Sequence, residues 1–365
     1  MGGAGGPPGA GPPGGAAGAP SGAAGAGAAP GPGAGAGPNP FQGPGAAAFA
    51  KALGNAAERA ITQANASLRP AKVGYGVGAT DINVNRDLPT PNGWAFGSNS
   101  SGYSDHSVPV LRVDGADGKP IALLMNVAVR SVVLDNALDN ADGTKAISSD
   151  LAGAASHYVE QWYGGNAVAL FLMGAAVDQA PILEANRYVL NADGSLARVD
   201  IHAAGFTLLD LQGERLGADV IRASEAIHAS AKPSVLVERS SLKVPSQGRT
   251  GGAPSNSPVL SYTYAVGPEI DFPIVLMRIG DVVIVGVQPE LGSIVGARIK
   301  EQSPFPDTMV AVMVDGGAKY MVDGDSYDHF TNEARGSQFA KEAAAVATAG
   351  IVQQLKQMKS TSSGN

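Results

Sequence analysis

The side chains in this sequence with the means to do chemistry are a few acids and two arginines. Asp178 lies in the small-residue run Gly174–Pro181, directly after the apolar stretch Ala167–Met173. Small residues at the C-terminal end of a buried strand let a ligand approach, and in α/β sheets sites collect at that edge. Asp178 serves equally well there as a helix cap or turn former. Asp150, in Ile147–Asp150, stands where a helix N-cap is expected. Glu290 follows the apolar run Val282–Val287 and precedes a helical pattern, where the helix dipole favours an acid. Arg130 ends the apolar run Ala122–Val129, and a guanidinium at the end of a core strand calls for an anionic partner, Glu290 or Asp178. Asn85 and Arg86 close a strand predicted over Thr80–Val84.

Other chemistries lack their residues. The histidines are His106, His157, His202, His228 and His329, and no two have metal-binding spacing. The absence of cysteine removes disulfides and thiolate zinc sites. There is no G-x-S-x-G elbow and no phosphate-binding loop in its strand–loop–helix setting.

Those residues need a frame. Spacing predicts helices over 46–69, 149–163, 208–230, 292–302 and 336–358. Strands are predicted over 71–77, 80–84, 108–113, 121–129, 166–173, 234–244 and 308–314, with a hairpin over 274–287 turning at Gly280–Asp281. Leu88–Ser107 reads as a long loop, Asp135–Lys145 as a polar loop and Leu242–Glu269 as a surface excursion. No internal repeat is visible. The alternation predicts an α/β fold: a layered, mixed β-sheet domain with helices packed on the outside.

Composition sets the boundaries. Met1, Ser21 and Asn39 apart, the first 40 residues are Gly, Ala or Pro, so 1–45 is expected to be a disordered low-complexity tail before a domain over 46–360. The net charge of −7 and the lack of a basic cluster exclude a nucleic-acid partner. No run is long and apolar enough for a transmembrane segment, and no signal peptide is visible.

Several segments, in order, resemble the neutral ceramidase family of zinc-dependent amidohydrolases. Ile82–Arg86 resembles its N-I-N-R stretch, and Val110–Asp114 with Gly118 its V-L-x-V-D…G strand pair. Asn126–Leu134 resembles the strand carrying a metal-binding His-Pro, and Ile147–Gly153 the S-S-D-x-x-G motif. Leu170–Pro181 resembles the G-D-V-S-P region with the nucleophilic serine, and Pro289–Lys300 the G-E-F…G-R-R-L-R helix. Asp315–Tyr327 resembles the N-x-Y-x-x-Y region, and the whole likeness runs from Ile61 to Gln357.

The resemblance implies amide hydrolysis at one zinc, held by two histidines, a glutamate and a tyrosine. Position by position, the first histidine's H-T-H motif is absent, its place taken by the Gly/Ala/Pro tail. Arg130 stands at the second histidine and Ala180 at the serine. Glu290 is the glutamate; Tyr320 matches the motif's second tyrosine and Gly317 falls at the first, so the ligand position stays open between them. Asp178 and Asp150 match the family aspartates. An arginine does not deprotonate and cannot ligate a metal. The expectation is therefore a ceramidase-like pseudoenzyme retained for binding or assembly, with no cofactor. The alternative is an active amidohydrolase with an altered or externally completed site, which would use zinc. By resemblance alone the ligand is a lipid-like amide of sphingolipid metabolism and the location extracellular or periplasmic. A missing first segment would leave a sheet edge open, so a homo-oligomer or a completing chain is the expected partner.

Overall fold

The computed structural model describes residues 44–135, 137, 148–229, 233–248 and 257–362. In chain order the elements begin with α1 (Pro44–Ala66), β1 (Ala71–Ala79), β2 (Asn83–Thr90), β3 (Gly93–Asn99), β4 (Ser107–Gly115) and β5 (Pro120–Val127). Next come α2 (Asp150–Trp162), β6 (Val168–Met173), β7 (Gln179–Pro181), β8 (Asn186–Leu190), β9 (Leu196–Asp200) and α3 (Gly205–Glu225). The last stretch holds β10 (Val235–Gly248), β11 (Ala265–Ile279), β12 (Val282–Val287), β13 (Glu290–Leu291), α4 (Ser293–Gln302), β14 (Asp307–Ala311), β15 (Tyr320–Met321), α5 (Gly324–Asp328), α6 (Asn332–Gly336) and α7 (Ala343–Ser362).

The α/β fold class stands, with helices outside and two sheets rather than one inside. One sheet has the order β1-β4-β5-β6 and the other β10-β11-β12-β14. Each contains two antiparallel pairs and one parallel pair, β5 with β6 and β12 with β14. The alternation of side chains along the strands builds the layers. Val73, Leu111, Val282, Ile284, Met309 and Ala311 fill the space between the sheets. The opposite parity, Val108, Val110, Leu123, Met125 and Val127, faces α2 and α3 through Leu151, Val159, Leu216 and Val220. In the second sheet Val283, Val285, Val287 and Val310 face α4 and α7 through Val295, Ile299, Ile351 and Leu355. Burial on both faces explains why β12 reads as an unbroken apolar run.

The two halves share one topology: three strands, a helix, a parallel strand, and a second helix on the outer face. The sequence carries no trace of this, because the layout needs only apolar alternation. One polar group ties the sheets together. Asn126, 5% exposed, donates to Leu172 O at 3.1 Å and Val310 O at 2.9 Å and accepts from Val310 N.

Glycines let α3 and the residues just after it lie close on the sheet. A Cβ on Gly76 would stand 2.8 Å from Ile227 Cγ1, and one on Gly78 2.8 Å from Ala223 Cβ. The K-V-G-Y-G-V-G run of β1 is therefore a packing groove.

Several expectations change. Asn85 and Arg86 sit inside β2, which begins later and runs further than the predicted strand, and the loop over 88–107 contains the β2–β3 hairpin. The start of the excursion over 242–269 belongs to β10 and its end to β11, one long antiparallel ribbon. The helix over 208–230 ends at Glu225, so His228 lies beyond it. The β8–β9 hairpin has no counterpart among the predicted strands. The helix over 46–69 forms as α1 with Phe49, Leu53 and Ile61 exposed. The tail over 1–45, apart from Pro44 and Gly45 in α1, and most of the loop over 135–145 lie outside the described residues.

Candidate functional site

β5, β6, β12 and β14, the strands of the two parallel pairs, end close together. Val312 N donates to Met173 O at 3.1 Å, and Gly174 N to Val127 O at 2.8 Å. The segments leaving these strands carry Arg130, Asp178 and Glu290. Beside them a small sheet, β3-β2-β7, supplies Asn85, Arg86 and Ala180.

Arg130 and Glu290 meet. Arg130 Nε lies 3.5 Å from Glu290 Oε2, with the side chains 20% and 14% exposed. This is ion-pair contact without hydrogen-bond geometry, and Glu290 Oε2 remains buried with no hydrogen-bond partner. Glu290 is not in the first turn of α4; it begins β13 and pairs in register with Tyr320 of β15. The backbone holds it there through Glu290 N to Lys319 O at 2.7 Å. Gly317 lies outside that pairing, so Tyr320 is the tyrosine beside Glu290.

Asp150 accepts from Leu151 N at 2.7 Å at the start of its own helix and also ties down the chain that follows Arg130. Its carboxylate accepts from Val133 N at 2.8 Å and Leu134 N at 3.0 Å. Ser131 Oγ, on the same segment, accepts from Ala152 N at 2.8 Å. The chain after Arg130 is thus tied to the start of α2. Gly153 leaves room for the Ser149 side chain at the helix start, since a Cβ there would stand 1.7 Å from Ser149 Oγ.

Asp178 does cap a helix, but a distant one. Its carboxylate accepts from Ser293 N at 2.7 Å and Ser293 Oγ at 2.6 Å, at the start of α4, and from Asn85 Nδ2 at 3.3 Å. Burial raises its pKa, while the Ser293 hydrogen bonds pull the other way. Gln179, fully buried, bridges Ser293 Oγ at 3.1 Å and accepts from Asn83 Nδ2 at 3.1 Å. Ala180 lies in β7 opposite Val84, 4% exposed.

Arg86 pairs with Glu333 of α6 and lies over the Phe96 ring, 4.6 Å from its centroid. Burial, the largest single influence, works to lower its pKa, but the charges of Glu333, Tyr320 and Asp87 and the Glu333 hydrogen bond together outweigh it, and the group stays firmly cationic. Neighbouring Asp87 is held well above the carboxylate range by burial first, then by the charge of Glu333 and a hydrogen bond with it. Glu333 is fully buried and its Oε2 has no hydrogen-bond partner. Arg86 Nε is also buried and unpartnered.

Sequence reading missed Glu184, Ser293 and Glu333. Burial, with Asp135 adding, pushes Glu184 up to about 7 against the pull of Arg86, Arg198 and Arg130. No local pattern marks these residues, because their partners are far away in the chain. Among the described residues no group of three or more His, Cys, Asp or Glu is arranged to hold a metal ion. His106 bonds Asn83 at 3.1 Å, and His329 stacks on Trp94.

No family model matches the sequence, and no curated protein does. Solved structures match its fold. Neutral ceramidase from Pseudomonas aeruginosa aligns at a TM-score of 0.58 and 18% identity, over 80% of this chain and 53% of that one. A ceramidase complexed with C2 aligns at a TM-score of 0.60 and 16% identity, over 82% of this chain and 55% of that one. The chain has the ceramidase fold and spans about half the length of the solved structures it matches.

Proposed function

We propose that this chain is a ceramidase-fold domain that binds a lipid-like amide and does not hydrolyse it through zinc. The Arg130–Glu290 pair carries the reading. A divalent ion at Glu290 and Tyr320 would need further neutral or anionic donors within reach. The side chain that reaches Glu290 is instead a guanidinium, which has no lone pair to give and repels a cation. The residues present do not fit zinc. Arg130 supplies Glu290 with the positive charge that a metal would otherwise bring. Ala180 offers a methyl group where an attacking oxygen would be needed.

One observation favours the second reading, an amidohydrolase with altered chemistry: Glu290 and Tyr320 remain neighbours in register. A fluorescent short-chain ceramide separates the two. Binding read by anisotropy, with no hydrolysis above buffer in the presence of EDTA or of added zinc, is the expected result. Hydrolysis by the wild type that disappears in Glu290→Gln would overturn the proposal.

The Gly/Ala/Pro segment over 1–45 precedes a folded domain over 46–360. Self-association fits the open edge at β6, where Val168 and Leu170 are about half exposed. No helix among the described residues is long and apolar enough to cross a membrane. An extracellular or periplasmic location is carried over from the resemblance.

A further inference from the structure

The apolar side of α1 is open to solvent. Phe49, Leu53, Ala57 and Ile61 recur every fourth residue and so share one side of the helix. Phe49, Leu53 and Ile61 are 60%, 61% and 70% exposed. Lys51 and Glu58 fall on the opposite side, at about 100° per residue.

The strand that α1 leads to is itself uncovered on one flank. β1 borders its sheet and pairs with β4 alone. A groove of about 270 Å³ lies between β1 and the end of α3, lined by Tyr75, Val77, Ala79, Ala223, Ala226 and Ile227. Val77 is 58% exposed. Asp219 and Arg222, on the groove wall, neutralise each other at 2.8 Å, so covering the groove strands no charge. The two surfaces match in length as well as in character. From Phe49 to Ile61 the helix rises about 18 Å, and from Tyr75 to Ala79 the strand spans about 13 Å.

One chain leaves both surfaces open. The link Ser67–Pro70 ends in a proline, which holds Arg69 extended and carries α1 onward from β1 instead of folding it back. A helix laid over a border strand is one of the ways proteins protect such an edge. We propose that α1 is an exchange arm: in a two-fold dimer, the α1 of each copy lays Phe49, Leu53 and Ile61 in the β1–α3 groove of the other. The inference rests neither on the ligand reading nor on the open edge at β6, which lies at the opposite border of the same sheet.

The chain has no cysteine, so introduced thiols are the only ones that react. Full-length Leu53→Cys and full-length Ala226→Cys are mixed and treated with a short bis-maleimide. The expected product is a covalent dimer of twice the 36.6 kDa chain mass, containing one of each and absent when either variant is treated alone. A cross-link in the double variant that stays within one chain at every concentration would put the helix on its own groove and overturn the proposal. Leu53→Cys linking to itself, α1 against α1, would do the same.

Sedimentation gives the second readout. The wild type should be dimeric, and Leu53→Asp should raise the dimer dissociation constant at least about tenfold. Leu53 is exposed in the single chain, so circular dichroism should show that variant folded. Val168→Asp, at β6, should leave this dimer intact. A monomeric wild type would overturn the proposal. A dimer lost in Val168→Asp and kept in Leu53→Asp would overturn it in favour of the β6 edge, whereas the reverse result supports the exchange arm and defeats the β6 edge alone.

Discussion

Removing the Arg130 guanidinium should cost stability in proportion to what it does for Glu290. At 3.5 Å the gross Coulomb attraction is about 5 kcal/mol for an effective dielectric constant of about 20. The net effect is smaller. The side chains are 20% and 14% exposed and the contact lacks hydrogen-bond geometry. Breaking a fully buried pair costs about 3–5 kcal/mol and an exposed one about 0–1. Arg130→Met, which keeps the aliphatic stem, should therefore destabilise by about 1.5–3 kcal/mol. The assay is urea unfolding of the wild type, Arg130→Met, Glu290→Gln and the double variant. The cycle should return a coupling of about 1–2 kcal/mol, because the neutral amide introduced by Glu290→Gln no longer needs the cation. A coupling of zero, with Arg130→Met as stable as the wild type, would refute the idea that the guanidinium compensates the buried acid.

Two further substitutions probe the frame around the site. Asp178→Ala removes the acceptor for Ser293 N, Ser293 Oγ and Asn85 Nδ2, and should cost about 2–4 kcal/mol in urea unfolding, with Asp178→Asn recovering part of it. Gly76→Val places a side chain against Ile227, at 2.8 Å from the first added carbon, and should lower stability by about 1–3 kcal/mol by thermal melting.

Much of the frame was legible because it depends on local signals. Apolar runs such as Val282–Val287, and turns such as Gly280–Asp281 with Gly280 at φ +64°, place strands and hairpins without any tertiary knowledge. The β2–β3 hairpin was hidden by its Pro, Gly, Asn and Ser content, and it forms because Asn85 and Asn99 bond the neighbouring backbone of β2. The division into two sheets could not be read, since both faces of the inner strands are apolar and alternation does not say what lies opposite. At the site, Arg130 was readable as a charge that must find an acid, and it found Glu290. Asp150 was readable only in its local bond to Leu151 N at the helix start; its other partners, Val133 and Leu134, lie on another segment. Glu184 left no signal at all: an acid near a proline and a hydrophobic pair looks like any surface turn until its burial is known.

Equilibrium dialysis of the whole protein against zinc, followed by metal analysis, tests the central claim most directly. With Arg130 beside Glu290, the protein should retain zinc at well below one ion per chain, and Glu290→Gln should not change that level. Near-stoichiometric zinc in the wild type that is lost in Glu290→Gln would contradict it.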